Sequence, residues 1–328
     1  MFLAAGCGSE SSSIGPSQSD LDRVAQILDQ PKTEIVPVSG TVNRPQILGF
    51  SETRIGFREA LDLGGCRLLP MIAERNSSLG RQKQASVRLF YEWKIASGLA
   101  ACTQLLDKPW FQNVLLSKQN DVTIAVTHLL FRSQEAKLLN SQLSRPFSKL
   151  SVSSVAYKQR FDPVRRVLMR ALNHGIPPTS EEISEFEEAL SKWSQTQHHA
   201  SLRQAVNESI SWLLAANRLQ HKAILKGNIC RMGTPTLKAR RIKSFLNGYF
   251  SKAIQPKLSI ISRSLRSFVL QWDSIVLGSF PGQTLPSHLL GLSLDAEKQL
   301  KAELRQHVKQ WQIILKKCQL EPRAITNS

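Results

Sequence analysis

The chain has 328 residues, 43 Lys and Arg against 25 Asp and Glu, a formal net charge of +18 and a hydrophobic content of 41%. That length and apolar content exclude a disordered protein and allow one large domain or two ordinary ones. The positive balance directs attention to anionic partners such as phospholipid head groups, nucleic acid or acidic glycans, and the sequence holds no run of about 18 apolar residues that would make a spanning helix.

The first seven residues, Met1-Phe2-Leu3-Ala4-Ala5-Gly6-Cys7, place small side chains ahead of a cysteine, which is the pattern of a lipobox. Lipid transfer needs a thiol, and the peptidase that cuts before it needs small flanking residues, so Cys7 is the expected lipidation site. The apolar stretch before Cys7 is shorter than the roughly 7 to 15 residues of a signal-peptide core. Residues 1–7 therefore read as the remnant of a truncated signal peptide, with an upstream basic and apolar extension expected. Residues 8–18, rich in Ser and broken at Gly15-Pro16, read as a flexible tether. The competing reading is a chance Ala-Ala-Gly-Cys in a cytosolic protein.

Residues 19–50 read as a short helix followed by an extended arm. The helix starts from Ser19 as its cap and carries Leu21, Val24, Ile27 and Leu28 up to Pro31. In the arm, Ile35-Val36 is the one plausible short strand. Residues 51–328 form the expected helical domain, divisible into two sub-bundles near 174–179. The periodicity predicts helices over 55–63, 66–78, 85–106, 110–143 and 152–173, the last interrupted at Pro163. Gly175-Ile176-Pro177-Pro178 is a linker, and Thr179 with Glu182 makes a capping box for the next helix. Further helices are predicted over 201–225, 237–254, 258–275 with a break at Pro256, and 294–317. The fold class is thus all-α, a multi-helix antiparallel bundle with an extended N-terminal arm.

Five cysteines occur, and setting Cys7 aside leaves Cys66, Cys102, Cys230 and Cys318. An even number suits an oxidising compartment. Cys66 and Cys102 lie at similar heights in a helical hairpin, which predicts their pairing and leaves Cys230 with Cys318. The alternative is four reduced thiols acting as small core residues.

No phosphate loop, nucleophile elbow, metalloprotease motif or dinucleotide fingerprint occurs, so no catalytic residue, metal or cofactor is assigned. His198 and His199 read as exposed surface histidines. Glu74, Arg75, Asn76 and Ser77 form the densest polar cluster among apolar neighbours, a candidate cleft with Glu74 as base and Arg75 as anion holder; the alternative is an ordinary helix end. Residues 231–270 carry nine Lys or Arg and no acid. Of these, Arg240, Arg241, Lys243, Lys252, Lys257, Arg263 and Arg266 are the candidate contacts to an anionic surface, with Ile242, Phe245, Leu246, Tyr249 and Phe250 committed to a buried face.

The stretches Ile55-Gly56-Phe57-Arg58-Glu59-Ala60-Leu61-Asp62-Leu63, Cys66 to Gly80 with its Ile-Ala-Glu-Arg-Asn-Ser-Ser-Leu-Gly core, Phe90-Tyr91-Glu92 and Gly98-Leu99-Ala100-Ala101-Cys102 resemble a family of Gram-negative lipoproteins known as domain of unknown function 3080. The resemblance implies lipoprotein status and a helical body, and it brings no activity or catalytic residue with it. The expected function is a non-enzymatic envelope lipoprotein, held on the periplasmic side of the outer membrane by Cys7 and interacting with anionic lipid or other envelope components. The alternative, a basic cytosolic protein associated with nucleic acid, lacks any reader motif.

Overall fold

The computed structural model describes residues 15–38, 48–53, 55–76, 84–140, 154–195, 198–231, 234–279 and 294–321. The fold is all-α: among the described residues there is no strand, and one isolated bridge joins Arg231 to Thr234.

Helix α1 spans Gln18–Ile27 and is capped by Ser17, two residues ahead of the expected Ser19. The Ser17 amide donates to Asp20 Oδ2 at 2.8 Å while the Asp20 amide donates to Ser17 Oγ at 3.3 Å, so two otherwise orphan donors are satisfied reciprocally. Its apolar stripe, Leu21, Val24 and Ala25, is fully buried. The expected strand at Ile35-Val36 does not form. Val36 is exposed, and the Ile35 amide donates to the Gln18 side chain at 3.1 Å in place of a neighbouring strand.

Helices α2 (Phe57–Gly64) and α3 (Leu69–Asn76) form a small hairpin laid on α4 (Ala85–Ala100). A 3-10 turn at Thr103–Leu105 leads to α5 (Pro109–Arg132), which opens on a proline where the missing N–H costs nothing. The expected helix over 110–143 is cut at Ser133. That residue turns extended, and its hydroxyl accepts from the Ala136 amide at 3.0 Å, restarting the chain as α6 (Gln134–Asn140).

Helix α7 (Ser154–Leu172) carries Pro163 inside it without the expected interruption. Helix α8 (Ser180–Ser194) has the predicted capping box, Thr179 with Glu182, and Arg170 adds a two-pronged contact to the same carboxylate at 2.9 and 3.1 Å. Helix α9 (His198–Lys226) is followed by α10 (Leu237–Phe245), a π-helical stretch Leu246–Ile254 and α11 (Gln255–Ser279). These last three run on as one rod, so the break expected at Pro256 is absent. The Gln255 amide reaches back five residues to the Phe250 carbonyl, and this wider turn makes room for the proline ring that a tight α-turn would reject. Helix α12 (Leu294–Lys317) packs along α9.

Two apolar clusters result. The larger joins α1, α4, α5 and the helices from α6 onward around Trp93, Trp193, Trp212 and Phe161. His199 lies within it at 1% exposure, edge-on to Phe268, Trp193 and Trp272, which corrects its reading as a surface residue. The smaller cluster, around Leu63, Leu68, Ile95, Leu99, Cys102 and Phe111, holds the α2–α3 hairpin.

Candidate functional site

The α2–α3 hairpin does not lie flat on α4 and α5. Between them is a cleft of about 760 Å³, within the range of small-molecule sites. Gly98 permits the closest approach of hairpin to helix. A Cβ at that position would fall 2.5 Å from Leu68 Cδ2, so only glycine lets Leu68 settle there. Three tethers fix the hairpin: the Cys66–Cys102 disulfide, the Tyr91 hydroxyl donating to the Met71 carbonyl at 2.8 Å, and the Lys108–Asp62 ion pair at 2.6 Å.

One wall of the cleft is apolar, with Leu63, Leu68, Ile72, Ile95, Leu99 and Val114. The other is charged. Glu92, at 1% exposure, lies 2.5 Å from Arg88, 3.4 Å from Lys118 and 4.0 Å from Arg75. Lys118 also pairs at 2.7 Å with the fully buried Asp121, whose carboxylate accepts from both the amide and the hydroxyl of Ser51 at 2.7 and 2.6 Å. The arm thereby closes over the polar end. Burial lifts the Glu92 carboxyl above its ordinary range, with Asp121 adding to the rise and Lys118 and Arg75 opposing it. Arg88 in turn lies 4.1 Å over the Phe50 ring.

Of the predicted polar cluster, Arg75 lines this cleft, Glu74 is exposed on α3 outside the lining, and the Asn76 side chain and Ser77 lie outside the described residues. Sequence reasoning missed Glu92, Arg88, Lys118 and Asp121. A signal for them exists: Val114, Lys118, Asp121 and Ala125 fall at helical spacing on one stripe, and charges inside an otherwise apolar stripe require partners.

The cysteines pair as predicted, Cys66 with Cys102 at a Cα separation of 5.5 Å and Cys230 with Cys318 at 5.4 Å. Cys7 lies outside the described residues. In the basic stretch, Arg240, Arg241, Lys252 and Arg263 are exposed and Lys243 is half-buried, and none has an ion-pair partner among the described residues. Lys257 reaches Asp20 at 3.6 Å, and Arg266 reaches Glu297 at 3.2 Å. Lys238 pairs with Asp29 at 2.8 Å. The rod is thus stitched to α1, an attachment reinforced by the Tyr249 hydroxyl bonded to Asp20 and by Arg23 lying 4.3 Å over the Tyr249 ring. Burial pushes the Asp20 carboxyl up, but the Ser17 amide, Tyr249 and Lys257 together hold it below its usual value.

Among the described residues, no helix is long and apolar enough to cross a membrane, and no group of three or more His, Cys, Asp or Glu is placed to hold a metal ion. A family model described as "Protein of unknown function (DUF3080)" matches residues 18–322. No curated protein and no solved structure matches the chain.

Proposed function

We propose a function for this chain, which belongs to the DUF3080 family of proteins of unknown function: it is a cell-envelope lipoprotein, anchored by lipid on Cys7, that works by non-enzymatic interaction at the membrane surface. The observation that carries this reading is the use of cysteine. Cys66, Cys102, Cys230 and Cys318 are consumed in two bridges, as an oxidising compartment favours, and Cys7 stands apart behind Leu3-Ala4-Ala5-Gly6.

The placement of α1 supports a membrane-facing basic surface. Nine residues lie between Cys7 and the Ser17 cap, and the ten Cα-to-Cα steps across them reach at most about 35 Å. Because Asp20 in the first turn of α1 meets Tyr249 and Lys257, the tether enters the body beside the basic rod. Exposed Lys252 and Arg263 are on that rod, each able to add about 1 kcal/mol of attraction to an anionic leaflet.

Expression from a gene carrying its full upstream signal, followed by fractionation and metabolic labelling with a fatty acid, tests the anchor. Wild type is expected in the membrane fraction and labelled, whereas Cys7→Ser is expected unlabelled and released. An unlabelled wild type, or a Cys7→Ser protein that stays labelled, overturns the reading.

A further inference from the structure

We propose that the outer face of the α2–α3 hairpin is a membrane contact, in which Phe57, Leu61 and Leu69 dip among the acyl chains of an anionic phospholipid leaflet while Arg58 and Arg67 meet its phosphates. The inference rests on the reading that the protein works at a membrane surface, and not on the lipid at Cys7. Helix α2 buries only Leu63. By helix geometry Phe57 and Leu61 lie roughly 120–160° around from Leu63, so neither reaches the core beneath it. They are 80% and 62% exposed. Gly64 continues their stripe, and a Cβ there would lie 3.7 Å from Leu69 Cδ1, so Leu69, itself 39% exposed, extends the same strip from α3. One exposed apolar side chain is ordinary, whereas three side by side leave an apolar ridge in water. A convex ridge on a short hairpin suits an acyl layer, which deforms around it, better than a protein partner, which would need a matching groove.

The charges beside the ridge give the sign of the lipid. Arg58 is exposed and adjoins Leu61 at three-residue spacing, and Arg67 is exposed in the turn between Gly64 and Leu69. Their stems can lie along the apolar strip with the guanidinium groups at the level of the phosphates. The acids of the hairpin are turned elsewhere: Glu59 accepts from the Gly56 amide at 2.6 Å, Asp62 pairs with Lys108 at 2.6 Å, and Glu74 is about 140° around α3 from Leu69. Arg67 supplies an independent observation. Its φ of 57° is in the left-handed region, where glycine rests without strain and a side chain does not. The backbone would be served better by glycine, so the arginine is kept for its exposed cation at the tip of the hairpin.

The test uses the full chain with Cys7→Ser and vesicles of phosphatidylethanolamine with phosphatidylglycerol, with or without bromine on the acyl chains. Brominated lipid is expected to quench the emission added by Phe57→Trp and to spare the parent chain, whose Trp93, Trp193 and Trp212 are buried. Phe57→Ser with Leu61→Ser is expected to weaken vesicle binding about tenfold or more, with the thermal midpoint unchanged because both side chains are exposed. Arg67→Gly is expected to bind several-fold more weakly while melting no lower than the parent, a split that a merely structural arginine would not give. Quenching no greater than in the parent, vesicle affinity untouched by the double serine substitution, or affinity untouched by Arg67→Gly overturns the proposal. So does a dimer in sedimentation that Phe57→Ser with Leu61→Ser disperses, which would make the ridge a contact between copies of this chain. None of these outcomes alters fatty-acid labelling at Cys7, so this inference and the anchor fail separately.

Discussion

His307 shows how strongly one buried side chain ties stability to pH. Its ring is fully buried; Trp311 Nε1 donates to Nε2 at 3.0 Å, which leaves Nδ1 to carry the proton toward Asn217 Oδ1, also at 3.0 Å. Asn217 is itself fixed by two bonds to Glu303, at 3.1 Å to the carbonyl and 2.8 Å to the carboxylate. Burial pushes the imidazole from an ordinary 6.5 down to about 3. The unfolded chain therefore takes up a proton below pH 6.5 that the folded one refuses, and stability falls as pH drops from about 6.5 toward 3. Between pH 6.5 and 5 this single group costs about 2 kcal/mol. Urea unfolding at those two pH values checks it: His307→Gln is expected to be less stable at neutral pH and to lose that part of the pH dependence. An unchanged slope would show that His307 titrates normally. The residue scale was also where sequence reasoning was weakest. Glu92 sits in Phe90-Tyr91-Glu92-Trp93 and reads as one polar residue on a helix surface, because its partners Arg75 and Lys118 come from two other helices.

Elements were far more legible, for a physical reason: most helices here bury one stripe, and a stripe is a periodic signal. The misreadings occur where something other than periodicity decided. Ile35-Val36 has β-branched side chains but no partner strand, Ser133 interrupts an unbroken apolar pattern with its own cap, and Pro256 is absorbed by the π-helical turn before it. The pairing of Cys66 with Cys102 was legible because a hairpin fixes the heights of its ends. Its role follows from the hairpin's thin attachment. Closing a loop of 36 residues is worth about 4 kcal/mol in the chain-entropy model. Removing both thiols as Cys66→Ala with Cys102→Ala is expected to cost roughly 2–4 kcal/mol. Amide hydrogen exchange should accelerate across α2 and α3 while α9 and α12 keep their protection. Uniform acceleration across the molecule would mean that hairpin and body unfold as one unit.

For the whole molecule, the sequence revealed the sign of the charge but not its distribution. The nine cations of residues 231–270 have no acid among them in sequence, yet in space α1, the turn that follows it and α12 supply Asp20, Asp29 and Glu297 to three of them. Of the remaining six, Arg240, Arg241, Lys252 and Arg263 are the exposed cations of the rod itself. The Cys7→Ser chain is expected to co-sediment with vesicles containing phosphatidylglycerol and not with neutral ones, and to be released as salt shortens the Debye length below about 8 Å. Arg240→Glu with Arg241→Glu reverses two of these charges and is expected to weaken binding several-fold without shifting the thermal midpoint by more than a degree or two, since both side chains are exposed. Binding that ignores lipid charge, or the double substitution, would make this an ordinary solvated face.

The position of the first turn of α1 against the rod has a consequence for how weak that attraction is allowed to be. On the proposed anchoring at Cys7, a body leashed by nine residues next to its own cationic face would meet the bilayer at an effective concentration in the millimolar range, whatever its abundance in the cell. Contacts far too feeble to recruit a free protein are then enough to choose which side of a leashed one looks at the lipid. On this arrangement the anchor determines residence and the rod determines orientation, so a lipoprotein whose rod charges were reversed would stay in its membrane but tumble on its leash.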